Sequence, residues 1–312
     1  LRTLDQWLRL LETRHPVEIE LGLERISAVA TKLSLGRLAS NIVVVGGTNG
    51  KGSCVRTLEA LALSAGLKVG TYTSPHLLRY NERVRIQGKN VTDDEFCRAF
   101  EQIEAGRNET PLTYFEVGTL AALLIMESRH LDLAVLEVGL GGRYDAVNII
   151  DADVSVITSI DLDHTDWLGG SREVIALEKV GIARRGKPFI CAEQKPPQSL
   201  VDEVRHIGAT PYYIARDFGF EWNADSAANS GKFTLSLSGN TVGGEYFTDL
   251  PVPRLSLQSV VAAVQCFHLL GFSPQQATLQ DCFEALALAG RYQKLVYKDR
   301  TVILDVAHNP AA

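Results

Sequence analysis

The chain has 312 residues, 46% hydrophobic and 22% charged, which suits one large or two ordinary domains with a packed core. Its 31 basic and 37 acidic side chains give a formal charge of −6, which argues against a broad nucleic-acid surface but leaves room for a small anion in a local pocket. Five widely spaced cysteines with no C-x-x-C pair read as reduced thiols of a cytoplasmic protein, no apolar run reaches the ~18 residues of a membrane span, and Leu1-Arg2-Thr3-Leu4-Asp5 does not read as a signal peptide.

Trp7, Leu8, Leu10 and Leu11 begin an amphipathic helix, and a second is expected over about 21–35. Next come the apolar run Ile42-Val43-Val44-Val45, the turn Gly47-Thr48-Asn49-Gly50-Lys51-Gly52-Ser53 and helical spacing over 55–63. Strand, glycine turn and helix start, in that order, make a phosphate cradle. Glycines reach positive φ and leave room for a bulky anion, while the turn's N–H groups and the helix's positive end face it. Lys51 adds a mobile point charge, and the Ser53 hydroxyl can ligate Mg2+. The spacing departs from the common P-loop pattern: Val45 stands where that pattern has its first Gly, and Ser53 follows Gly52 rather than Lys51. An ordinary strand-to-helix turn is the alternative.

Residues 68–73 read as a strand, Ser74-Pro75-His76-Leu77 as a loop and 84–86 as a short strand. Helices are expected from Asp93 to about 105 and from Thr113 to about 129, then strands over 133–138 and 154–159, a helix over 171–183 and a strand over 188–191. Strands alternating with helices imply an α/β fold with a doubly wound, mostly parallel sheet. From about 210 to 250 the texture changes to short, turn-punctuated aromatic runs, a small antiparallel β patch. Helices over 257–270 and 274–288 follow. Gly290 reads as a hinge, and Val296 and Val302-Ile303-Leu304 read as first strands of a second α/β domain. The expected division is 1–289 and 290–312, the latter incomplete.

Five stretches besides the glycine turn could carry chemistry. They are the Ser74-Pro75-His76 loop, Thr113-Tyr114-Phe115-Glu116, the glycine loop from Glu137 to Arg143 and Asp145, Asp161-Leu162-Asp163-His164-Thr165-Asp166, and Lys179. Each has a plainer reading: a βα connection, a capping box from Thr113 to Glu116, a turn with an ion pair, an Asx-rich turn, a solvated lysine. Most follow a strand expected to be parallel and so converge on one sheet edge. A cradle, a hydroxyl, acids and a histidine there suit Mg2+-assisted phosphoryl transfer.

Read in order, these motifs resemble a known family. Gly-Thr-Asn-Gly-Lys-Gly-Ser, Ser-Pro-His-Leu with Glu82-Arg83-Val84, Glu-Val-Gly-Leu-Gly-Gly-Arg, Asp-His-Thr-Asp-Trp-Leu-Gly, Glu-Lys-x-Gly-Ile and Asp305-x-Ala-His308-Asn309-Pro310 are similar to the bacterial dihydrofolate synthase/folylpolyglutamate synthases of the Mur ligase superfamily. The resemblance implies that ATP phosphorylates a carboxylate of the pterin substrate and that the amine of L-glutamate attacks the acyl phosphate. Dihydropteroate becomes dihydrofolate, and tetrahydrofolates gain γ-linked glutamates.

By the same resemblance, Gly47, Thr48, Asn49, Gly50, Lys51 and Gly52 hold the ATP phosphates. Ser53 and Glu116 hold one Mg2+, and Ser74, Glu116 and His164 a second. Lys51, His164 and Lys179 are the catalytic set, Lys179 matching a lysine that is carbamylated in the family. Arg83, Thr113, Phe115 and Asp145 face the pterin substrate. Arg291, Asp305 and His308 reach ATP from the second domain, and Ser259 stands where the family usually has a nucleotide-binding Asn. A cytoplasmic monomer without nucleic-acid or membrane partners is expected. The family's second domain carries a larger sheet, so the sequence is expected to be a piece that stops early. Two alternatives stay open: a Mur ligase for a uridine-nucleotide cell-wall precursor, and a non-catalytic nucleotide-binding paralogue.

Overall fold

The computed structural model describes residues 2–15, 17, 19–222, 232–238, 244–307 and 309. Helix α1 (Leu4–Arg14) starts where Thr3 and Gln6 close a capping box, and it buries Trp7 and Leu11. It is followed by α2 (Glu24–Lys32), β1 (Ala39–Gly46), α3 (Lys51–Ser64), β2 (Val69–Tyr72), β3 (Val84–Ile86) and β4 (Lys89–Asn90). Helices α4 (Asp93–Arg107) and α5 (Tyr114–Glu127) each open on a threonine capping box. Then come β5 (Leu131–Glu137), β6 (Val154–Ile157), the single turn α6 (Thr165–Leu168), α7 (Arg172–Val180), β7 (Pro188–Cys191), α8 (Gln198–Ile207) and β8 (Thr210–Tyr213).

The main sheet has the order β4-β3-β2-β5-β1-β6-β7-β8. Neighbours from β2 through β8 are parallel, and only β3 and β4 run antiparallel at one edge. Period-two alternation sorts β1 between two cores. Val43 and Val45 join the side chains of α3, such as Leu58; Ile42 and Val44 join those of α4 and α5, such as Phe100 and Leu120. A strand buried on both faces reads as an unbroken apolar run, which is why β1 is plain in the sequence.

A small antiparallel sheet of β9 (Gly219–Trp222), β10 (Lys232–Leu237) and β11 (Glu245–Pro251) lies beyond β8. It shares the α3-side core with α9 (Leu257–Leu269) and α10 (Gln276–Ala285), and Phe233 stacks on Phe283 at 5.9 Å. The hairpin β12 (Gln293–Tyr297) and β13 (Arg300–Leu304) follows Gly290, whose φ is +68°.

The expected doubly wound α/β sheet is the one observed. Three details differ. Residues 210–213 belong to the main sheet, parallel to β7, and not to the antiparallel patch. A short, half-buried edge strand carries the same alternation in either setting, so pattern cannot assign its partner. Helix α2 begins at Glu24 rather than near 21, because the Gly22 N–H bonds the Tyr144 carbonyl with φ at +146°. Helix α8, which buries Leu200 and Val204, was not anticipated.

Candidate functional site

Parallel strands place the loops after β1, β2, β5 and β6 on one edge, the usual ligand edge of such sheets. β1 lies between β5 and β6, with Val45 opposite Glu137 and Gly46 opposite Ile157. Gly47 (φ +141°) and Gly50 (φ +85°) shape the turn that opens α3. A Cβ would lie 2.0 Å from Thr158 Oγ1 at Gly47 and 2.2 Å from Ser259 Oγ at Gly50, so backbone angle and space both demand glycine. The end of β6 pins the turn. The Asn49 N–H donates to Ser159 Oγ (2.9 Å), and its carbonyl accepts from Thr158 Oγ1 (2.7 Å). The Asp161 N–H donates to Thr48 Oγ1 (3.0 Å). Lys51 Nζ donates to the Gly47 and Thr48 carbonyls at 3.0 and 3.2 Å.

This turn lines a cavity of about 140 Å3 together with Ser74, Glu137, Asp163, His164, Lys179 and Arg291. His164 caps α6 in a left-handed conformation (φ 48°) and is half exposed. Glu137, only 5% exposed, accepts a 3.4 Å bond from the Ser74 N–H. Burial pushes its carboxyl up to about 7, against the pull of Lys51 and Arg291. Burial, aided by the Lys51 charge, pushes Lys179 down to about 7.

A second cavity, about 850 Å3, adjoins the first and shares Ser74, Pro75, Gly139, Leu140 and His164 with it. Arg83, Thr113, Phe115, Glu116 and Asp145 line it, and the segment between α1 and α2 closes one side. Phe115 packs with the tip of its ring against the loop after β5: a Cβ at Gly139 would lie 2.4 Å from its Cζ. Arg83 donates from Nε to His76 Nδ1 (3.0 Å) and faces the rings of Tyr80 and Tyr114 at 5.1 and 5.7 Å. The Asp145 carboxylate is occupied by the N–H groups of Leu140 (2.8 Å) and Val147 (2.9 Å), so it shapes the loop; burial pushes it up to about 6.

The expected metal set is not brought together as a whole. Of the second expected set, Ser74, Glu116 and His164 all line the larger cavity, and Ser74 and His164 also line the smaller one, where Glu116 does not reach. Glu116 completes the capping box through Thr113 N (2.7 Å), and its other oxygen faces the Arg25 guanidinium at 3.2 Å. Ser53 is buried in the first turn of α3 and lines neither cavity. The acid beside the turn is Glu137, which ends an apolar strand and opens the third candidate stretch but was not expected to hold a cation. Thr158 and Ser159 were passed over. Ser259 is buried behind Gly50, and Arg291 lines the smaller cavity with the turn. Asp305 is engaged by the N–H groups of Tyr292 (2.7 Å) and Ala307 (2.9 Å). His308 lies outside the described residues.

Comparison with known proteins identifies the family and the fold. A profile of the Mur ligase middle domain matches residues 45–242. The dihydrofolate synthase/folylpolyglutamate synthase of Escherichia coli K12 is 43% identical over 309 residues, covering 99% of this chain and 70% of that relative. The chain belongs to the dihydrofolate synthase/folylpolyglutamate synthase family. E. coli FolC, solved with DHPP and ADP, superposes on it with a TM-score of 0.92 and 41% identity, covering 99% of this chain and 72% of that one. A bifunctional folylpolyglutamate synthase/dihydrofolate synthase solved with Mn, AMPPNP and L-glutamate bound gives 0.88 and 45%, with the same coverage.

The smaller cavity of this chain holds groups whose titration should show in stability. Glu137 has a native pKa near 7, above its ordinary 4.5, so the native form binds more protons between those values. Its contribution is full below about 4.5 and is lost as pH rises to about 7. Lys179 has a native pKa near 7, below its ordinary 10.5, so its penalty is full below about 7 and is relieved toward 10.5. In metal- and nucleotide-free buffer, urea titrations should show a Glu137→Gln variant more stable than the parent at pH 7 by about 2 kcal/mol, with the gap closing toward pH 4.5. A gap independent of pH would show that Glu137 does not titrate in that range.

Proposed function

We propose that this chain joins L-glutamate to dihydropteroate and to folates in an ATP-dependent reaction through an acyl phosphate, with the larger cavity taking the pterin substrate and the smaller one the phosphates. Its family membership makes it an ATP-dependent glutamate ligase and sets aside the cell-wall alternative. The observation that carries the assignment of the two cavities is their shared wall: Ser74, Pro75, Gly139, Leu140 and His164 line both. A flat substrate lying against Phe115 can then present a terminal carboxylate at the junction, where it meets the γ-phosphate.

The residues divide the work by position. The turn's N–H groups and the start of α3 bind phosphate oxygens, and Lys51 leaves the loop carbonyls to neutralise them. Ser74, Glu137 and His164 suit a divalent cation, because a hydroxyl, a buried carboxylate and an imidazole meet beside the turn. Among the described residues no group of three or more His, Cys, Asp or Glu side chains could hold a metal, so a mixed set with a hydroxyl and the phosphates is what fits. Mg2+ bound there supplies charge neutralisation to the transferring phosphoryl group. Lys179, whose pKa burial pushes down to about 7, offers far more of the neutral amine that carbamylation needs than an ordinary lysine, and the resulting anion would lie beside the cation site. Thr113, Glu116, Arg83 and Asp145 form the polar rim of the pterin cavity. Arg291, and with it Ser259 and Asp305, belongs to the nucleotide side, and the segment from Gly290 onward starts a second domain. We place the protein in the cytoplasm as a monomer without nucleic-acid or membrane partners. No helix among the described residues is long and apolar enough to cross a membrane.

Phosphate release by the full-length protein, with ATP and L-glutamate present, should be compared for dihydropteroate, tetrahydrofolate and a uridine-nucleotide cell-wall precursor. Release is expected with the pterins alone. Release with the precursor, or nucleotide binding with no release on any substrate, contradicts the proposal.

A further inference from the structure

Asn49 of the phosphate turn and Asn309 stand 260 positions apart, yet their amides pair reciprocally. Asn49 Nδ2 donates to Asn309 Oδ1 at 2.9 Å, and Asn309 Nδ2 donates back to Asn49 Oδ1 at 3.1 Å. The same Asn309 Nδ2 reaches Asp163 Oδ2 at 3.2 Å. Asp163 precedes His164, lines the phosphate cavity, and its charge favours protonated Lys179. One amide from the segment after β13 therefore touches both the loop after β1 and the loop after β6. The backbone of Asn49 is already fixed by Thr158 and Ser159, so what Asn309 adds is the placement of the Asn49 side chain and of Asp163.

We infer that Asn309 is a positioning residue for the ligation: it sets the spacing of Asn49 and Asp163 across the phosphate cavity and so couples the seating of the segment after Gly290 to nucleotide binding. This rests on reading the turn as the nucleotide site. A merely structural asparagine would lower thermal stability and act independently of Asn49. A coupling residue acts through it, and paired groups show non-additive losses.

The test uses the full-length protein, with Mg-ADP affinity by calorimetry and melting temperature for Asn49→Ala, Asn309→Ala, Asn309→Asp and the Asn49→Ala/Asn309→Ala double variant. Asn309→Ala should weaken binding about tenfold at unchanged melting temperature, as the three side-chain hydrogen bonds that place Asn49 and Asp163 are lost. Asn309→Asp should weaken it further, since it loses the donor and faces Asp163 with a like charge. The double variant should bind within about twofold of Asn49→Ala alone. Wild-type or tighter binding by Asn309→Ala, or losses that multiply in the double variant, overturns the inference. Lys51→Ala separates the two readings: if it binds Mg-ADP like the parent, the nucleotide site itself is misplaced, whereas a loss in Lys51→Ala with none in Asn309→Ala sinks the coupling alone.

Discussion

Replacing Glu137 by glutamine is expected to lower glutamate ligation about 100- to 1,000-fold, the usual loss when one preorganised electrostatic group is removed from such a site. The carboxylate is buried beside the phosphate turn, and its bond from the Ser74 N–H aims it at the cavity shared with Lys51 and His164. Glutamine keeps the shape and removes the charge. The fold should hold, and the ligand-free protein should gain stability at pH 7, so activity and stability move in opposite directions. Glu116→Gln should behave differently. Its carboxylate caps α5 and faces Arg25 on the pterin side, so the variant should raise KM for the pterin substrate and lower the melting temperature with kcat largely kept. Steady-state assays varying ATP and pterin in turn distinguish the two. Equal loss of kcat in both variants would return Glu116 to the cation site.

Lys51→Ala carries the other large effect. The Nζ group rests on the Gly47 and Thr48 carbonyls of its own turn. Its loss should cost about 100- to 1,000-fold in kcat/KM for ATP while leaving the melting temperature within a few degrees. Lys51→Arg should not rescue it, because a planar fork cannot replace a compact ammonium between two carbonyls and a phosphate. The variant should also raise the pKa of Lys179, since the Lys51 charge is one cause of its depression. Turnover at the parent rate would remove the turn from the chemistry.

The phosphate turn was legible because every requirement is local: an apolar run, glycines at positive φ, then helical spacing. His164 and Lys179 were legible only through convergence, since nothing in Asp163-His164 or Glu178-Lys179 alone separates a ligand from a solvated side chain. Glu137 was legible only as the start of a glycine loop, and its place beside the turn was not. An acid closing Leu131-Asp132-Leu133-Ala134-Val135-Leu136 looks like any strand end meeting solvent. Only the pairing of β5 with β1, which sets it opposite Val45, buries it beside the turn. Glu116 was legible as a local capping box, which is present, whereas its place on the larger cavity follows from where α5 packs. Residues 210–213 went to the wrong sheet because a strand's partner is a non-local fact. Asn49 and Asn309 each lie in a motif read from the sequence, but nothing local pairs two segments 260 positions apart.

Crystals of the full-length protein grown with Mn2+ and a non-hydrolysable ATP analogue, mapped at the manganese edge, give the most direct measurement. The anomalous peak is expected against the Glu137 carboxylate, with Ser74 and His164 around it and the phosphates in the turn from Gly47 to Ser53. A peak held by Glu116, with Glu137 turned away from the metal, would contradict the placement of the reaction at the junction of the two cavities.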